Sequence, residues 1–168
     1  MTHDGAMGDH TLIVMRHAKA AELPGAPDFD RPLRPRGRRD SAAAGRWLAS
    51  HSFRPDLVLC SAAERTRQTW EHLSAEVGGS PEFSAERRLY QADAEDVAEV
   101  IRAAPETAVT VLYIGHNPAA AELAALLTGA EPDFPTAAIA VVRLTGEWAS
   151  LAPGTGDLVA SWVPRPAG

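Results

Sequence analysis

The sequence predicts an α/β protein, a three-layer α/β/α sandwich with a mostly parallel central sheet. Two observations lead there. Four short apolar runs punctuate the chain: LIVM (12–15), DLVLC (56–60), VTVLYI (109–114) and IAVVRL (139–144). Three are rich in valine or isoleucine, and all read as strands buried on both faces. Between them lie stretches of helical spacing, and strands that alternate with helices favour a parallel sheet covered on both sides.

The elements follow in order. The first ten residues, MTHDGAMGDH, read as a loose leader with Met7 as an alternative start, ahead of one domain over 11–168. After the first strand comes AAELPGAPDFDRPLRPRG (20–37), with four prolines, two glycines and no period. It reads as a long loop, and such loops within a domain often carry function. Helices are expected over 37–50, which is alanine-rich with Trp47 and Leu48, and over 62–76, with Thr66, Trp70 and Leu73. Two more are expected over 94–103, with Val97, Val100 and Ile101, and over 118–128, with Leu123, Leu126 and Leu127. Ser61 and Glu64 fit a capping box that starts the second helix just after Ser61. Asn117 suits an N-cap and Pro118 the first helical position. The tail, 146–164, reads as a closing hairpin with a glycine-rich turn at 154–156.

Composition narrows the classes. Of 168 residues, 45% are apolar and 23% charged, as in ordinary globular domains. The apolar runs are too short to span a bilayer, and the start has no basic region followed by an apolar one, so neither membrane insertion nor a secretory signal is expected. Cys60 is the single cysteine, which rules out an internal disulfide and fits a reducing, cytoplasmic location. A formal charge of −6 argues against nucleic-acid binding. Lys19 is the one lysine beside fifteen arginines, a skew that says little about function.

In an open α/β sheet, ligands bind at the carboxyl ends of the strands. Arg16 and His17 follow the first strand, Arg65 follows the second, and His116 follows VTVLYI within GHNP. Two guanidiniums suit the oxygens of a phosphoryl group. A neutral imidazole can attack phosphorus, and neighbouring positive charge keeps it neutral. The expected chemistry has two steps: His17 takes the phosphoryl group, then water hydrolyses the phosphohistidine. Arg16, Arg65 and His116 would stabilise the equatorial oxygens, and His116 would lie just ahead of a helix N-terminus, which attracts anions.

Blander readings stand beside these. A histidine after a strand is commonly a polar loop residue, and Arg65 alone would be an ordinary helix-surface arginine. Glu64 is better explained by capping than by catalysis. Arg67 and Gln68 read as surface or supporting residues, and His51 and His72 receive no role. Trp47 and Trp70 should cover the core. Arg31, Arg34, Arg36, Arg38 and Arg39 form a basic cluster, read first as a solvated loop and helix start, and second as a docking surface for an acidic phosphoprotein. Cys60 to Arg65 is C-x4-R, and Cys60 to Arg67 is C-x6-R. Neither is the C-x5-R of cysteine phosphatases, so Cys60 reads as buried and inert.

LIVMRHAKA, SAAERTRQT and GHNP resemble the signature blocks of the histidine phosphatase superfamily, which includes the cofactor-dependent phosphoglycerate mutases. Ala18 stands where most members carry glycine. The short chain, DRPLRPRG (30–37) and the MRHAKA form resemble the small phosphohistidine phosphatases, the SixA-like branch. The blocks span 12–118, and FPTAAIAVVRL with Trp162 extends the likeness. The resemblance implies a phosphoglycerate mutase-like fold and His17 as nucleophile. It implies a substrate pocket of Arg16, Arg65, His116 and Asn117, and neither cofactor nor metal. Many relatives carry an acidic proton donor in the region that here reads ERRLYQADAED, with Tyr90 and Gln91 near its place. Asp28, Asp30 and Asp93 remain as candidates. A phosphoramidate leaving nitrogen can already carry a proton, so the missing acid favours protein phosphohistidine over sugar phosphates and disfavours mutase activity. The implied partner is a phosphorylated protein, a histidine phosphotransfer domain being one option, or a small phosphate ester. The alternatives are a general small-molecule phosphomonoesterase, a non-catalytic phospho-ligand module, and a metalloenzyme using His17 and His116. The last is disfavoured by two arginines that would repel a cation. Oligomeric state and closure of the 20–37 loop stay open.

Overall fold

The structure, a computed structural model, describes residues 9–165. Six strands form one sheet: β1 (Asp9–Arg16), β2 (Leu57–Ser61), β3 (Glu82–Glu86), β4 (Thr110–Gly115), β5 (Ile139–Thr145) and β6 (Gly156–Trp162). Four helices cover it: α1 (Pro35–Ser50), α2 (Glu64–Val77), α3 (Ala94–Arg102) and α4 (Ala119–Thr128). Strand order is β3-β2-β4-β1-β5-β6. Pairs β2/β3, β2/β4 and β1/β4 are parallel, whereas β5 runs antiparallel to β1 and β6 antiparallel to β5.

The unbroken apolar runs have a direct cause. Along β1, Leu12 and Val14 enter the core under α3 and α4, with Val97, Ile101, Leu123 and Leu127. Ile13 and Met15 enter the opposite core under α1 and α2, with Leu48, Leu73 and Val77. A strand covered on both faces needs no polar alternation. The three layers expected from the sequence are therefore present. Trp47 and Trp70 pack against the α1/α2 core as half-buried covers. Cys60 is buried, and burial pushes its thiol up to about 12. Among the described residues no helix is long and apolar enough to cross a membrane.

Several expectations shift. β1 reaches back to Asp9, two residues into the stretch expected as a leader; residues 1–8 of that stretch lie outside the described residues. His10 pairs with Leu144 and is buried, its Nδ1 2.8 Å from the Gly146 carbonyl oxygen and its ring 4.5 Å from that of Trp148. The Ser61–Glu64 capping box does not form. Ser61 is the last residue of β2, in register with Glu86, and α2 starts at Glu64 with Ala63 as an N-cap that makes no side-chain bond. Glu64 instead accepts from Arg67 (2.6 Å) and Gln68 (2.8 Å). Pro118, not Asn117, is the N-cap of α4, although Asn117 Oδ1 still accepts from the Ala121 amide at 3.2 Å. β3 was invisible as an apolar run because it is an exposed edge strand. The tail supplies one strand rather than a whole hairpin, since β6 pairs with β5 across a connection that buries Trp148.

Candidate active site

The site is set by strand register. β1 and β4 are adjacent and parallel, with Arg16 opposite Gly115. The next residue on each chain is therefore a neighbour of the other: His17 N–H donates to the Gly115 carbonyl at 2.9 Å, and the His17 and His116 rings lie 5.2 Å apart. β2 flanks β4 on its other side, and α2 rises from its end carrying Arg65 in the first turn. Arg65 is 7% exposed and His17 9%. Two imidazoles and one guanidinium thus meet at one rim, as their placement after three parallel strands requires.

Hydrogen bonds fix which nitrogen of His17 is free. Its Nδ1 lies 2.7 Å from the Ala18 carbonyl oxygen, which only accepts, so Nδ1 carries the proton and Nε2 the lone pair. Arg65 Nε donates toward that lone pair at 3.4 Å. Burial, foremost, drives the His17 pKa down to about 3; His116, Arg65 and Arg16 add to it, against the opposing bond to Ala18. The ring is neutral at physiological pH. Ala18 takes no positive φ, so an alanine fits where relatives place glycine. Its amide donates to Thr69 Oγ1 on α2 at 3.0 Å, which ties the segment after His17 to the helix that carries Arg65.

His116 is held from two sides. Its Nδ1 faces Arg65 Nη2 at 3.5 Å, and its Nε2 lies 2.8 Å from Ser61 Oγ. A guanidinium only donates, so Nε2 carries the proton and gives it to Ser61. Burial lowers its pKa to about 4, helped by Arg65 and Arg16 and opposed by Asp28. Arg16 donates from Nη1 to the Phe134 carbonyl at 3.3 Å, while its Nε is buried without a partner. Asn117 has both ends occupied, Nδ2 donating to Phe134 O at 2.9 Å and Oδ1 accepting from Ala121. It therefore shares an acceptor with Arg16.

Arg65 has a second set of partners. Its Nη1 donates to the Asp28 carbonyl at 2.8 Å and its Nη2 to Asp28 Oδ2 at 3.0 Å. Tyr90 donates its hydroxyl to the same Oδ2 at 2.6 Å, and Arg31 reaches Oδ1 at 3.0 Å. The fork is thus two-sided: Nε and Nη2 face the histidines, and Nη1 and Nη2 face Asp28. The cleft in front, about 300 Å³, is lined by Asp28, Arg65, Tyr90, Gln91, Ala92, His116, Asn117 and Pro118. Tyr90 and Gln91 hold the wall where an acid was sought. Of the candidate donors, Asp93 caps α3 and accepts from the Asp96 amide at 2.8 Å, and Asp30 is not part of the cleft's lining. Asp28 is at the site, but three donors, with Tyr90 foremost, hold its carboxyl below the usual carboxylate range.

Two arginines of the basic cluster have carboxylate partners. Arg31 pairs with Glu22 and Asp28, and Arg36 with Asp40. Arg34 and Arg38 donate to the Ala20 and Leu33 carbonyls. Arg31, Arg34 and Arg38 thus tie down the 20–37 loop. The sequence reading missed Ser61 as a partner of His116, and it treated Asp28 only as a proton donor. Ser61 had a signal, since it ends a strand at the rim where ligands bind; Asp28 had none beyond its place in the proline-rich loop.

The geometry agrees with what the chain is similar to. A model of the histidine phosphatase superfamily (branch 1) matches residues 12–99, a span that holds Arg16, His17 and Arg65. The uncharacterized protein Rv1276c of Mycobacterium tuberculosis is 41% identical over 162 residues, 90% of this chain and all of its own. The SixA structure from Nakamurella multipartitia is 33% identical with a TM-score of 0.86, covering 95% of this chain and 98% of that one. The structure of the protein histidine phosphatase SixA complexed with tungstate is 30% identical with a TM-score of 0.79, covering 92% of this chain and 97% of that one. The family match spans the strand ends that carry His17 and Arg65, and the chain belongs to the histidine phosphatase superfamily, on its SixA-like branch, as a phosphatase.

Proposed function

We propose that the enzyme works through a phosphohistidine on His17 and that its favoured substrate is a protein phosphohistidine. The observation that carries this is the neutral ring of His17, whose Nε2 lone pair meets a long 3.4 Å bond from Arg65 Nε and lies beside Arg65 and His116, two residues that line the cleft. In the first step Nε2 attacks phosphorus and the bond from phosphorus to the substrate's ring nitrogen breaks. That nitrogen keeps the electron pair, and the departing imidazole is neutral when its other nitrogen already holds a proton. In the second step water attacks the phosphorus on His17, releasing inorganic phosphate and restoring the neutral ring. Arg16, Arg65 and His116 surround the equatorial oxygens, and the buried, unpartnered Nε of Arg16 is a donor suited to one of them. Asn117 steadies Arg16 through their shared acceptor.

Two further observations support the substrate. The related SixA structure holds tungstate, an oxyanion of phosphate shape. The cleft has no carboxylic acid ready to protonate an alkoxide, which phosphate esters of alcohols need and a protonated leaving nitrogen does not. A phosphorylated histidine phosphotransfer domain would present such a group on a protein surface. The lone buried thiol of Cys60 suits the cytoplasm.

His17→Ala should lower turnover about a thousandfold or more without changing the circular dichroism spectrum. Acid-labile phosphate should be trapped on His17 of the wild type during rapid-quench turnover. Sugar or nucleotide phosphates turning over much faster than a phosphohistidine protein would remove the substrate assignment. A His17→Ala enzyme near wild-type rate would remove the mechanism.

A further inference from the structure

We infer that Asp28 selects the leaving group: its carboxylate, at the mouth of the cleft, accepts the ring N–H of a departing imidazole and so favours phosphorylated nitrogen over phosphate esters. This rests on the proposed function. His17, 9% exposed, lies behind Arg65 and His116 and is not part of the cleft's lining, whereas Asp28 is, with its side chain 51% exposed. In-line attack from this buried side on a phosphoryl group held by Arg65 and His116 would drive the leaving group outward, to where Asp28 and Tyr90 stand.

The mouth is an acceptor without a ready acid. Oδ2 already accepts from Tyr90 and Arg65, but among the described residues Oδ1 accepts only from Arg31, so one of its lone pairs is open. Tyr90 is no substitute acid. Its hydroxyl proton is committed to Asp28, and that bond, first among the causes, raises its pKa. An alkoxide leaving there would meet a carboxylate and gain no proton. An imidazole phosphorylated on one nitrogen and protonated on the other would present an N–H to Oδ1, and the carboxylate would match the positive charge that the ring carries when bound and still partly carries in the transition state, a match that a phosphate ester cannot make. No other acidic side chain lines this cleft.

The test compares kcat/KM for a phosphohistidine peptide with that for p-nitrophenyl phosphate in wild type, Asp28→Asn and Asp28→Glu. Asp28 also braces Arg65, so both rates should fall in Asp28→Asn. The ratio, however, should drop by about tenfold or more in favour of the ester, the size of one charge-assisted hydrogen bond. Asp28→Glu, which keeps the charge, should recover part of the ratio. An unchanged ratio in Asp28→Asn, with a wild type that prefers phosphohistidine, overturns the inference and leaves the proposed function standing. A wild type that prefers esters overturns the proposed function, and this inference with it.

Discussion

Ser61 shows how much one hydroxyl settles. It ends β2 fully buried, receives the His116 Nε2 proton at 2.8 Å and accepts the Ala63 amide at 3.3 Å. Removing it leaves a buried ring N–H without a partner, which costs about 1–3 kcal/mol and frees the ring to change tautomer. Ser61→Ala should therefore lower kcat by about tenfold while changing KM less, as steady-state kinetics on a phosphohistidine peptide would show; equal kcat values would separate Ser61 from His116 function. The residue reads in the sequence as a cap, although it also ends a strand at the rim. S-x-x-E is a local pattern, and it carries no information about a histidine fifty-five positions away. Asp28 was obscured for the same reason, since its partners Arg65 and Tyr90 are brought to it by the sheet and not by the chain. His17, Arg65 and His116 were legible because each follows a strand whose end is fixed by its own apolar run.

Among the elements, legibility tracked burial. β1, β2, β4 and β5 lie inside the sheet and needed apolar residues on both faces, so their sequences announced them. β3 pairs on one side only, and Glu82, Phe83 and Ala85 face solvent, so EFSAE carries no such signal. All four helices were legible to within two residues at either end, and α2 begins two residues late because the strand before it runs on through Ser61. The tightest helix contact is between α1 and α2. A Cβ added at Gly45 would lie 2.5 Å from the Leu73 carbonyl oxygen and 2.9 Å from Glu76 Cβ. Backbone cannot yield as a side-chain tip can, so Gly45→Ala should destabilise the fold by about 1–3 kcal/mol. A lower urea midpoint at unchanged slope would register this. An unshifted midpoint would mean that α1 and α2 can separate freely.

For the whole molecule, the two neutral imidazoles make stability depend on pH. The ordinary histidine value is 6.5, whereas His17 is driven to about 3 and His116 to about 4 in the folded chain. Between those values and 6.5 the unfolded chain binds protons that the folded one refuses. Folding stability is thus fully present above about pH 6.5 and is lost as pH falls toward the folded values. The midpoint of thermal unfolding should drop from pH 7 to about pH 4.5, and should drop less in His17→Asn, which has one fewer buried ring to charge. Equal drops in the two proteins would show that His17 is not held neutral. The same arrangement bears on how such an enzyme diversifies. The spacing of its reactive rings is written into the main-chain ladder between β1 and β4, while the segments 20–37 and 87–93 that frame the entrance hang from that ladder without defining it. Selection can therefore rebuild the doorway for a new guest and leave the hearth untouched.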